Sequence, residues 1–156
     1  MDVRAQVDGA DAWGTALESR VARTRAATDK AVDAGLNLIQ VGAQQNLAYF
    51  SHPPGTPTPS APGEPPALVS GALRRSIRVR RTKRGPGQYE GRVGPTIIYA
   101  RIQELGGQLG RNPRHGMWRS PGFLPPRPYF QPAVFNARPK IAQLFRDAWA
   151  KTLGGG

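Results

Sequence analysis

The chain has 156 residues, no cysteine, two histidines and a formal net charge of +12. That length is enough for one hydrophobic core without staples. Lack of cysteine excludes disulfides and thiolate metal sites, no apolar run is long enough to span a bilayer, and Met1-Asp2-Val3-Arg4 does not open like a secretory signal, so a soluble protein made in the cytoplasm is expected.

The charge is unevenly placed. Residues 1–69 carry five basic and seven acidic side chains, and residues 70–156 carry seventeen and three. Such a split points to a polyanionic neighbour, either nucleic acid or an acidic protein surface. A solvated basic face is the plainer alternative.

In chain order, residues 10–50 read as helix. Trp13, Leu17, Val21, Val32, Leu36, Ile39, Leu47 and Phe50 recur at helical spacing, and Asp8 or Asp11 is placed to cap the start. One unbroken helix of that length would run about 60 Å, longer than a domain of this size is wide. Gly35 and Gly42 each cost about 1 kcal/mol relative to alanine, so a bend or break is expected near them. The first part, with a thin Ala/Thr seam, needs a neighbour; the second, rich in Leu and Ile, belongs against a sheet.

Residues 51–67 form a proline-rich segment in which helix and central strand are excluded. Its stiffness makes Pro53, Pro54, Pro57, Pro59 and Pro62 candidates for an assembly arm, with a flexible linker as the alternative. Removal of Pro53 to Pro65 is expected to leave the monomer folded but to impair assembly. Next, Ser70-Gly71-Ala72-Leu73 is a short helical or extended entry. Ile77 and Val79 then alternate with Arg78 and Arg80, which is the pattern of a half-buried strand. Arg84-Gly85-Pro86-Gly87 is a hairpin turn, and Tyr89, Gly91 and Val93 share one face of the return strand, which Pro95 ends.

Ile97 to Leu105 reads as a short helix with Ile98, Ile102 and Leu105 on one side, stopped by Gly106-Gly107. Residues 108–126 are irregular, and their Met117, Trp118 and Phe123 are further candidates for packing against another subunit. Tyr129-Phe130 is expected to add a strand beside the hairpin, and Pro132 opens a final helix. Pro139 bends that helix or restarts it. Ile141, Leu144, Phe145, Ala148 and Trp149 give it an apolar stripe. The expected whole is a single α+β domain over residues 1–156. It has a helical region (1–50), a proline arm (51–67), a sheet region with a short helix and long loop (68–131), and a C-terminal helix on the sheet (132–153).

Catalytic chemistry is not visible. His52 and His115 stand apart in Pro/Gly-rich segments, Glu64, Glu90, Glu104 and Asp147 have no paired spacing, and no phosphate-cradling Gly-rich motif occurs. No catalytic, metal or cofactor residue is assigned. The densest basic run is Arg74, Arg75, Arg78, Arg80, Arg81, Lys83 and Arg84. It is a candidate face for phosphates or for carboxylates of a partner, or simply a guard against unwanted strand pairing.

Several blocks in order carry a resemblance. Ser70-Gly71-Ala72-Leu73-Arg74-Arg75-Ser76-Ile77 is followed by Val93-Gly94, Tyr99-Ala100 and Glu104-Leu105-Gly106-Gly107, then by Pro126-Arg127-Pro128-Tyr129-Phe130-Gln131-Pro132-Ala133. From Leu68 to Ala133 the chain resembles the tail-completion or head–tail joining proteins of long-tailed double-stranded-DNA bacteriophages, also called neck or minor tail proteins. The proline arm and the Arg/Trp-containing insert at 108–124 depart from that pattern. The resemblance implies a structural virion protein without cofactor, sitting at the neck as a hexameric or dodecameric homo-oligomeric ring. It would lie between the portal or connector (stopper) and the tail tube, with possible non-specific contact to DNA in the channel and none to membrane. A tail-terminator ring subunit and a free basic nucleic-acid-binding protein are the alternative readings. In a head-to-tail ring, the acidic helical side of one copy would meet the basic sheet side of the next.

Overall fold

The computed structural model describes residues 9–48, 60–85, 88–109 and 122–154. A single helix, α1 (Ala10–Asn46), is 37 residues long and unbroken, about 55 Å at 1.5 Å per residue. The expected break at the glycines is absent, and the reason is on the neighbouring helix, α4 (Phe130–Leu153). A Cβ on Gly35 would lie 3.2 Å from Ile141 Cγ1, and one on Gly42 would lie 3.2 Å from Ala133 Cβ. The glycines let two helices approach closely, and the packing gained offsets their poor helix propensity. Gly9, at φ 90°, is the N-cap without a side-chain bond, and Asp11 sits in the first turn rather than at the cap. Asp8 and Phe50 lie outside the described residues.

α4 runs antiparallel to α1, from Ala133 beside Gly42, past Ile141 beside Gly35, to Trp149, whose indole N–H donates to Thr28 Oγ1 at 3.0 Å. Two expectations are corrected here. Tyr129-Phe130 forms no strand: Tyr129 is the N-cap of α4 and Phe130 its first residue. And α4 packs along α1 rather than on the sheet, with only its N-terminal end, through Tyr129 and Ala133, joining the core below the hairpin. Pro139 stays inside the helix. It lies on the exposed side, where water can serve the Phe135 carbonyl that loses its usual donor.

After α2 (Ala72–Ser76) come β1 (Ile77–Gly85) and β2 (Gln88–Pro95), an antiparallel pair with Ile77 opposite Pro95 and Val79 opposite Val93. The alternation holds as read: Ile77 is buried, while Arg78 and Arg80 are exposed. Gly91 lets β2 lie against α1, since a Cβ there would come within 2.1 Å of Leu36 Cδ1. Gln40 Nε2 donates to the Ile77 carbonyl at 2.9 Å and ties the same helix to the first strand.

α3 (Ala100–Leu105) ends at Gly106, φ 68°. The helix is shorter than expected: Ile98 lies before it and is 96 % exposed, Leu105 is 57 % exposed, and the residue the helix buries is Ala100. Beyond it, β3 (Gly107–Gln108) pairs antiparallel with β4 (Phe123–Leu124). The core gathers Ala43, Leu47, Leu73, Ile77, Ala100, Tyr129 and Ala133, with Val93, Ile97 and Phe130 packed against it. The architecture is α+β, two antiparallel helices and a hairpin laid on the longer one.

Candidate functional site

Strand pleating divides the basic run by face. Arg81 turns toward α1, where its Nε donates to Asp33 Oδ1 at 2.5 Å, and the Tyr89 hydroxyl donates to the same oxygen at 2.6 Å. The Asp33 bond raises the Arg81 guanidinium above its ordinary value and holds the Tyr89 phenol up as well. Arg81 is therefore a tether between hairpin and helix. The Arg81–Asp33 side chains are 46 % and 39 % exposed, so solvent screens the pair and its role is to position the hairpin more than to stabilise it.

Arg78 and Arg80 point the other way, to solvent. The register sets Arg80 directly opposite Arg92, and Arg78 opposite Gly94. Arg92 was not among the sequence candidates, which were counted along one strand. Folding the chain about Gly85–Gln88 would have brought it into view. Arg92 Nε donates to Glu90 Oε1 at 2.6 Å, with the arginine side chain 74 % exposed. Arg74 and Arg75 belong to α2 and are exposed there; Arg75 lies over Gly71. The side chains of Lys83 and Arg84 are outside the described part.

Of the assembly-arm residues, Pro53, Pro54, Pro57, Pro59, Met117 and Trp118 lie outside the described residues. Pro62 is exposed, but the segment around it is fastened: the Gly63 N–H donates to the Pro126 carbonyl at 2.9 Å, and Pro66 is buried. Residues from Gly63 onward thus belong to the body, not to a free arm. Phe123, on β4, is 69 % exposed.

A second exposed surface is apolar. α4 ends beside the middle of α1, and the first turns of α1 continue past it with Trp13 73 %, Leu17 51 % and Val21 39 % exposed. Leu17, Val21, Thr28 and Val32 border a hollow of about 370 Å³, with Tyr89 and Leu153 also in its lining. This is the part of α1 for which the sequence leads one to expect a neighbour. Ile98, Leu105 and Phe123 expose further large apolar surface on or beyond α3.

Among the described residues no group of His, Asp or Glu converges as a metal site, and no helix is long and apolar enough to cross a membrane. His52 and His115 lie outside the described residues. A long helix with bare apolar turns, a basic strand face and a small core describe a subunit shaped to pack against other macromolecules. The chain belongs to the HK97-gp10-like family, described as "Bacteriophage HK97-gp10, putative tail-component", whose profile matches residues 11–106, from the first turn of α1 to the glycine that ends α3. It is thus a member of a family of bacteriophage tail components. No curated protein and no solved structure gives a significant match.

Proposed function

We propose that this tail component is a tail-completion, head–tail joining subunit of the phage neck, a single domain that forms a ring between the portal or connector and the tail tube. The observation that carries the reading is the bare ridge Trp13, Leu17 and Val21 on a helix that outruns its partner. Leaving such surface in water forfeits about 25 cal/mol per Å², which a neighbouring copy would recover. A ring is head-to-tail, so the ridge of one copy meets a different surface on the next. The exposed Ile98, Leu105 and Phe123 supply apolar surface for that second side. Interaction with other tail proteins, and a place in the virion, follow from this reading. A tail-terminator ring would use the same contacts at a different level of the particle.

The test is electron microscopy of purified virions beside sedimentation of the isolated protein. A ring at the head–tail junction and a closed oligomer that Leu17→Asp converts to monomer are expected. Virions lacking the protein, or a variant that assembles as the parent does, would overturn the proposal.

A further inference from the structure

We infer that the outer face of the β1–β2 hairpin is a binding strip for the phosphate backbone of duplex DNA, formed by Arg78, Arg80 and Arg92. The pleat and the register put these three side chains on one face with Thr82, Glu90 and Gly94. Arg80 and Arg92 face each other across the ladder, where like charges destabilise a sheet. An anion between them turns that repulsion into attraction. Arg78 stands two residues along β1, roughly 7 Å from Arg80. Its cross-strand partner is Gly94, which has no side chain. An open depression of about 380 Å³ results, lined by the three arginines with Val93, Gly94, Pro95 and Thr96.

Three features choose the ligand. The pleat puts no aromatic residue on this face; Tyr89 is on the opposite side, and the apolar part of the depression's lining is Val93 and Pro95 alone. A protein partner would need aromatic anchors at the centre of its contact, and this chain's exposed apolar side chains, such as Trp13, Leu17, Ile98 and Phe123, lie on other elements or beyond the hairpin. Single strands are held largely by stacking on aromatics, which this face cannot offer. Base-edge reading needs an element that enters a groove with its specifying side chains. What remains is contact with phosphates by guanidinium groups, indifferent to sequence. Glu90 is the one acidic side chain on this face among the described residues, and it accepts a bond from Arg92 Nε.

The strip lies within one chain, so the inference does not rest on the ring. The test is fluorescence anisotropy of the full-length protein with a short labelled duplex across a salt series. Parent affinity should fall steeply with salt, about 0.9 in log–log slope per phosphate contacted. Arg78→Gln, Arg80→Gln and Arg92→Gln combined should make the slope shallower by roughly 2 to 3 and weaken low-salt binding at least about tenfold. Arg92→Gln alone should remove roughly one unit of that slope. Arg74→Gln with Arg75→Gln, which removes charge from α2, should leave the slope nearly as in the parent. An equal loss in that control would mean diffuse attraction by net charge and would overturn the strip. So would absence of binding at low salt, preference for single strands, or an acidic peptide that displaces DNA at equal charge concentration. Circular dichroism of each variant confirms that it is folded; all five arginines are exposed.

Discussion

The Glu104 carboxylate sits at the joint between α3 and α4. Its Oε2 accepts from the N–H groups of Tyr129 at 2.9 Å and Phe130 at 3.0 Å, and its Oε1 from Gln131 at 2.8 Å. These are amides that the start of α4 leaves without helical acceptors, and a negative charge there also meets the positive end of the helix dipole. The Glu-Leu-Gly block is therefore a cap supplied by another helix. Gly106 completes it, since at φ 68° a Cβ would lie 2.7 Å from the Leu124 carbonyl. Glu104→Ala should cost about 2 kcal/mol of folding stability, measured by urea denaturation. Beside it Tyr129 is buried, and burial first, then the charge of Glu104, pushes its phenol above the ordinary 10.0. The unfolded chain therefore loses that proton at lower pH than the native one does. The contribution is intact below about pH 10 and is lost as pH rises beyond it. Denaturation midpoints should fall as pH is raised beyond about 10, and Tyr129→Phe should flatten the fall. Gly91→Ala would press a methyl into Leu36 and should destabilise by about 1–3 kcal/mol in the same assay.

At the level of elements, α1 serves both as core helix and as protruding rod. Its second half is sandwiched, with Gly35 and Gly42 against α4 and Leu36 and Gln40 against the hairpin. Its first half is nearly all exposed. Substitutions should sort accordingly. Gly42→Leu must drive α4 off Ala133 and should cost at least 1–3 kcal/mol, whereas Leu17→Asp should change monomer stability by about 0.5 kcal/mol or less while abolishing self-association. Comparable monomer losses for both would mean that the first half is core after all. What could be read in advance follows the same division. The hairpin and the stop at Gly106 were legible because their signals are local: period-two alternation, turn glycines, a helix end. The glycines of α1 were misread because the gain from close approach depends on Ile141 and Ala133, nearly a hundred residues away in the chain. Tyr129-Phe130 looked like a strand because aromatic residues favour strands, and the distant carboxylate that caps a helix there is invisible to local propensity. The exposure of Ile98 was not legible, because periodicity cannot tell a short buried stripe from a bare one.

For the whole molecule, the charge split between the chain's two parts does not become two opposed faces. Asp33, from the acidic part, is joined to Arg81 of the basic part within one subunit. The protruding turns of α1 carry exposed Arg20 and Arg23 along with Asp11 and Glu18, so they offer no predominantly acidic surface to a neighbour's hairpin. In the proposed ring, head-to-tail contact would then rest on the apolar ridge, and the basic strand face would be left for a different ligand. The two interactions should respond oppositely to salt. Charge contacts at exposed guanidinium groups weaken as the Debye length shrinks from about 10 Å at 0.1 M toward 3 Å at 1 M, while burial of Trp13, Leu17 and Val21 does not weaken. Raising salt across that range should release a bound duplex yet leave the oligomer intact, followed by anisotropy and sedimentation on the same sample. An oligomer that falls apart as salt rises would show that ion pairs hold the copies together, and the ridge would lose its role.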